Sequence, residues 1–117
     1  MRLITSFVPV PTTTAVLEED DAQRPERFSL EQNYPNPCNS GTAIRFVLPT
    51  GGEVDLAVFN LAGQYVANLV DDTYPAGTYT IRWDGRDDEG REVATGLYLY
   101  RLQIGARVQT RKLIVLR

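Results

Sequence analysis

Four acidic residues crowd one short stretch: Asp84, Asp87, Asp88 and Glu89 all fall between Trp83 and Gly90. Carboxylate oxygens at that density are what a calcium loop supplies. The spacing departs from the EF-hand pattern, because Arg86 stands where a second acidic ligand belongs. Asp-Gly and Glu-Gly pairs are also ordinary turn chemistry, and the turn reading is preferred here over calcium. Ser6, Ser29, Ser40 and Cys38 are the available nucleophiles, yet the chain has no histidine to activate any of them. It carries no glycine-rich phosphate loop either. The residue inventory therefore predicts no enzyme, no cofactor, no resident metal and no small-molecule substrate.

Composition narrows the class further. At 117 residues the chain suits one domain with one core. Its 43% hydrophobic and 23% charged content is ordinary for a globular protein. A formal net charge of −3 argues against nucleic acid, whose phosphates need a basic face. No apolar run reaches the roughly 18 residues of a membrane helix. Residues 3–10 do not read as a signal peptide, since Thr5, Ser6 and Pro9 interrupt them and no clean cleavage site comes after them. A single cysteine, Cys38, forms no internal disulfide and is expected to be buried as a small hydrophobe.

The elements that would position these residues are short strands. In residues 42–48, Ile44, Phe46 and Leu48 alternate with Ala43, Arg45 and Val47. Similar stretches are expected at residues 28–32, 53–60, 64–70, 78–83, 96–104 and 107–116. Tyr65, Ala67 and Leu69 are expected to share a face of the fourth, and residues 71–77 to form a turn. Residues 33–40 pack Pro35, Pro37 and three asparagines into a rigid turn. Seven strands at about ten-residue spacing predict an all-β, antiparallel, immunoglobulin-like sandwich. Its inner faces should share Ile44, Phe46, Leu48, Val54, Leu56, Val58, Tyr79, Ile81, Trp83, Tyr98, Tyr100 and Leu102. Trp83 should anchor the core, and Tyr98 occupies the position of a tyrosine corner.

Residues 1–27 read instead as an extended tail or linker before a sandwich at residues 28–117. Residues 1–16 are rich in β-branched types, and residues 2–8 form a candidate strand, punctuated afterwards by Pro9 and Pro11. Glu18, Glu19, Asp20 and Asp21 make an acidic block that reads as solvated linker. The closing strand should lie at a sheet edge, and an exposed edge invites another strand to add to it. A tail strand, with Leu3, Ile4, Phe7, Val8 and Val10 as its assembly residues, could complete a neighbour's sheet. Such a head-to-tail contact does not close and generates filaments.

Several motifs then fall in a recognisable order. Leu30, Gln32, Asn33, Tyr34, Pro35, Asn36 and Pro37 precede a Thr-x-Ile strand. Phe59 to Gln64 read FNLAGQ; Trp83 to Asp87 read WDGRD; Gly96 to Leu102 read GLYLYRL; and the chain closes on Lys112, Leu113, Ile114, Val115, Leu116 and Arg117. This pattern resembles the C-terminal sorting domains of the type nine secretion system, with Cys38 where that family usually has an aromatic. It is similar also to the immunoglobulin-like domain of flagellar hook-capping proteins. The resemblance covers about three quarters of the chain. It implies a secreted, cell-surface or extracellular protein whose C-terminal strand is recognised by outer-membrane secretion machinery. Arg111, Lys112, Leu113, Ile114, Val115, Leu116 and Arg117 are the residues implied to carry that recognition. The alternative is a self-assembling structural subunit whose partners are identical copies, a homo-polymer joined through the tail.

Overall fold

Where apolar and polar side chains alternate, an extended chain buries one face and solvates the other, so such segments pair into sheets. A computed structural model describes residues 27–117 of the chain. The candidate tail strand at residues 2–8 and the acidic block Glu18, Glu19, Asp20 and Asp21 lie outside the described residues. Seven strands run in order: β1 (Ser29–Leu30), β2 (Thr42–Leu48), β3 (Gly52–Phe59), β4 (Tyr65–Tyr74), β5 (Gly77–Trp83), β6 (Gly96–Ile104) and β7 (Arg107–Val115). They form two antiparallel sheets, ordered β1-β2-β5 and β4-β3-β6-β7. This is the seven-stranded sandwich that the alternation predicts.

The two sheets face each other across one core. Ile44, Phe46, Leu48, Val54, Leu56, Val58, Tyr100 and Leu102 are fully enclosed, and Trp83 and Tyr98 nearly so. Tyr79 and Ile81 pack against this core from the expected face, though they are only partly buried. They sit on β5, which among the described residues has a neighbouring strand on one side only. Leu30, Cys38, Ala67, Val70, Leu113 and Val115 also join the core. Tyr98 closes its corner as expected, its hydroxyl donating to the Ala94 carbonyl at 2.7 Å.

β4 departs most from the sequence reading. It continues through Asp71, Asp72 and Thr73 to Tyr74, where the turn residues predict a break. Gly52 and Glu53 of β3 pair with Tyr74 and Thr73, so the β3 ladder carries this polar stretch as strand. The register also slips twice, between Leu56 and Ala57 and between Val58 and Phe59. Each bulge inserts an extra residue and reverses the facing of the residues beyond it. Tyr65, Ala67 and Leu69 therefore do not share an inner face: Ala67 and Val70 are buried while Tyr65 is exposed. β1, at two residues, is shorter than the expected strand over residues 28–32.

Two glycines are required by the turns. Gly105, at the β6–β7 hairpin, has φ +58°, a left-handed conformation that side chains disfavour. At Gly51 a Cβ would come within 2.9 Å of the Tyr74 carbonyl oxygen, so the β2–β3 turn needs the bare backbone there.

Candidate functional site

The C-terminal strand is built into the fold far more tightly than an edge strand needs to be. Leu113 and Val115 point inward and are fully buried, while Lys112, Ile114 and Leu116 stand exposed between them. β7 pairs with β6 from Gly96↔Val115 to Ile104↔Arg107. Among the described residues its outer edge carries no full strand, and its last residues are covered by the turn over residues 33–40. Ile114 donates its N–H to Asn36 Oδ1 at 2.9 Å and accepts from the Cys38 N–H at 2.9 Å. Leu116 N–H donates to the Cys38 carbonyl at 2.8 Å, and Gln32 Nε2 donates to the Lys112 carbonyl at 2.8 Å. β7 lies at a sheet edge as expected, but its last residues are covered rather than exposed. From Lys112 to Leu116, side-chain amides and one turn take up backbone groups that another strand would need.

Farther back, β1 is stitched to β7 by side chains. Gln109 accepts from Leu30 N–H at 2.9 Å and donates to the Phe28 carbonyl at 3.2 Å, and Arg111 Nε donates to the Leu30 carbonyl. Behind them, the Tyr100 hydroxyl donates to the Glu31 carbonyl at 2.7 Å and accepts from Asn33 N–H at 2.9 Å. Burial pushes that hydroxyl's pKa above its ordinary value, against the pull of Asn33 and Arg111.

Arg117 closes the chain end. Its guanidinium donates to the carbonyls of Asn39, Gly85 and Val93, and its N–H donates to Thr95 Oγ1 at 2.9 Å. One side chain thus ties together the β1–β2 turn and the β5–β6 connection. Cys38, 2% exposed, lies under this clamp. Burial raises its thiol pKa, opposed by its backbone hydrogen bond and by Arg117. A buried thiol held protonated is a packing group rather than a nucleophile.

The acidic loop has a different occupation. Asp84 accepts from Arg86 N–H at 3.0 Å, and Asp87 accepts from the N–H groups of Glu89 and Arg91 at 2.9 Å each. Those donors, Arg91 N–H foremost, hold the Asp87 carboxyl below its ordinary pKa. Asp88 reaches across to β4, accepting from Asn68 N–H at 3.0 Å while its own N–H donates to the Val66 carbonyl at 3.1 Å. Glu89 pairs with Arg91 at 2.6 Å. The carboxylates are turned to separate roles, Asp84 and Asp87 closing turns, Asp88 covering the β4 edge and Glu89 pairing with Arg91, and no group of three metal-ligating residues gathers among the described residues. The assembly residues Leu3, Ile4, Phe7, Val8 and Val10 lie outside the described residues.

Sequence reasoning missed the Arg117 clamp and the Tyr100 hydrogen bonds. An arginine after an apolar strand and a tyrosine in an inward position were their only signals. Residues 39–106, more than half of the chain, match the FlgD Ig-like domain. The chain belongs to that family. No curated protein matches the sequence.

Among solved structures, the family member is similar to latent, dimeric PorU from Porphyromonas gingivalis. The TM-score is 0.60 at 21% identity, over 79% of this chain and 10% of that one. PorZ, an essential surface component of the type-IX secretion system of the same organism, matches with TM-score 0.52 at 18% identity, over 74% and 11%. FlgD from Xanthomonas campestris, a hook-capping protein essential for flagellar assembly, matches with TM-score 0.52 at 20% identity, over 73% and 64%. At these identities the likeness is one of fold. The chain spans about a tenth of PorU and PorZ and under two thirds of that FlgD. No helix among the described residues is long and apolar enough to cross a membrane.

Proposed function

We propose that this FlgD Ig-like domain is a non-catalytic module of a secreted or cell-surface protein, used for secretion sorting and surface attachment. Residues 28–117 make the sandwich, and residues 1–27 serve as linker or donor tail. The observation that carries the reading is the exposed row Lys112, Ile114 and Leu116, displayed on a backbone that the Asn36 side chain and Cys38 hold in place. A rigid row of one charged and two apolar side chains suits a protein partner, because little ordering entropy remains to be lost on docking. Outer-membrane secretion machinery is the partner proposed for it, in keeping with the matches to PorU and PorZ.

The test fuses a reporter ahead of the full chain in a host carrying a type-IX secretion system. Lys112→Glu combined with Leu116→Asp alters exposed side chains only, so the melting midpoint should move by less than about 5 °C. Surface-attached reporter is expected to fall about ten-fold or more, an energetic loss of at least ~1.4 kcal/mol in recognition. Unchanged attachment with an unchanged midpoint would overturn the proposal.

A second reading has one observation in its favour. A filament subunit joined by a donor tail needs an accepting edge, and among the described residues no strand pairs with the outer edge of β5. Removing residues 1–16 is then expected to abolish filaments seen by electron microscopy of the purified chain. Normal filaments from the shortened chain would refute the donor-tail role.

A further inference from the structure

The sandwich protects its edges unevenly. β7 is covered by the turn over residues 33–40 along its last residues. β1 is two residues long, and both its Leu30 N–H and its Leu30 carbonyl are taken by side chains of β7. β4 is bulged twice, gives its Val66 carbonyl and Asn68 N–H to Asp88, and carries Asp71 and Asp72 beyond that point. Short length, bulges, charges and covering loops are the devices by which natural edges resist pairing. β5 has none of the first three along its middle. Its register with β2 runs unbroken from Thr42↔Trp83 to Leu48↔Gly77, and it contains no proline.

The direction of its backbone groups is set by its neighbour. On β2, the Ala43 N–H and carbonyl both bond to Tyr34, and the Arg45 carbonyl accepts from Glu31. Odd-numbered residues of β2 therefore turn toward β1, and the even-numbered ones bond to β5. Their partners are Gly77, Tyr79, Ile81 and Trp83. In an antiparallel ladder the intervening residues face the other way. Thr78, Thr80 and Arg82 thus direct their N–H and carbonyl groups out of the edge away from β2. All three are exposed, and nothing among the described residues bonds to them.

We propose that this edge pairs with the same edge of a second copy of the chain, β5 against β5, about a two-fold axis at Thr80. The occupant is chosen by self-complementarity. Centred on Thr80, the antiparallel register sets Thr78 against Arg82 of the other copy, so every outward group of these residues gains a partner. It sets Tyr79 against Ile81, an aromatic opposite a β-branched residue, which is a favourable cross-strand pair. No like charges meet, because Arg82 faces a threonine. The same operation on β4 would bring Asp71 and Asp72 toward one another. An isologous contact of this kind closes on itself as a dimer. A single strand pair buries less than a standard interface of about 1,600 Å², so the dimer is expected to be weak and concentration-dependent. The contact is independent of what β7 does.

Sedimentation velocity on the full chain across micromolar concentrations tests it, together with amide hydrogen exchange and two cysteine variants. The expected result is a reversible dimer whose dissociation constant rises about ten-fold or more with Thr80→Lys, which sets two ammonium groups across the axis. Thr80→Cys should crosslink under oxidised glutathione, since residues facing each other in a hydrogen-bonded pair have Cα atoms about 5.5 Å apart. Thr78→Cys should not, because it faces Arg82. Cys38, 2% exposed, is shielded from either reaction. A monomer at every concentration with slow exchange at Thr78, Thr80 and Arg82 overturns the proposal in favour of the chain's own tail as occupant. A monomer with fast exchange there overturns it outright. So does a dimer that Thr80→Lys leaves unchanged and Thr80→Cys fails to crosslink.

Discussion

Trp83→Ala is expected to remove about 3–5 kcal/mol of folding stability, the range for deleting a large buried aromatic. Trp83 closes β5 and is 2% exposed. Its ring meets Tyr98 edge-on with centroids 6.3 Å apart, and Nε1 donates to the Arg86 carbonyl at 2.8 Å. Alanine would open a cavity between the sheets and free the first turn of the acidic loop at the same time. A domain of this size holds about 5–15 kcal/mol in all, so the loss takes a large share. Thermal denaturation monitored by circular dichroism should show the midpoint lowered by roughly 15–30 °C. Trp83→Phe separates the two contributions, since it keeps most of the volume and loses only the indole donor, at about 1–3 kcal/mol. A midpoint for Trp83→Ala within about 5 °C of the parent would mean that the sheets collapse around the site without cost. The Trp83–Tyr98 contact would then not anchor the core.

Strand existence was legible because alternation is a local signal. Ile44, Phe46 and Leu48 announce a half-buried strand whatever lies beside them, and the structure places all of them inside. Bulges are not local. Nothing in the order Tyr65, Val66, Ala67, Asn68, Leu69, Val70 marks where β4 slips against β3, because the slip depends on which residues lie opposite. The same distinction divides the candidate site. A long apolar closing strand could be read from Leu113, Ile114, Val115 and Leu116. Its covering by Asn36, Cys38 and Gln32 could not, since those contacts join residues some eighty positions apart. The outer edge of β5, unpaired among the described residues, was hidden for a further reason. Strand order within a sheet, and the outward direction of Thr80, depend on pairing geometry rather than residue type. The acidic loop shows the opposite error of emphasis. Four carboxylates in one stretch suggest a cation, yet backbone N–H groups and arginines already occupy them.

Deleting residues 112–117 is expected to abolish cooperative folding, so the deletion cannot by itself report on recognition. Leu113 and Val115 are fully buried, and each is worth about 1.5–3 kcal/mol in burial alone. The cut also removes the β6 ladder from Gly96 to Leu99, the bonds to Asn36 and Cys38, and the whole Arg117 clamp. Together these approach the total stability of a small domain. Arg117→Ala takes away only the clamp. Because this side chain is exposed and its hydrogen bonds compete with water, the expected cost is about 1 kcal/mol. Urea denaturation of the three chains should order them as parent, then Arg117→Ala with a lowered midpoint and unchanged slope, then a deletion with no transition. An unchanged slope matters, because it shows that the same surface is still buried. If the deleted chain instead unfolds at the parent's midpoint, the terminus is an appendage to the sandwich. Lys112, Ile114 and Leu116 would then be displayed by a mobile peptide, and the rigid row on which the sorting proposal rests would be gone.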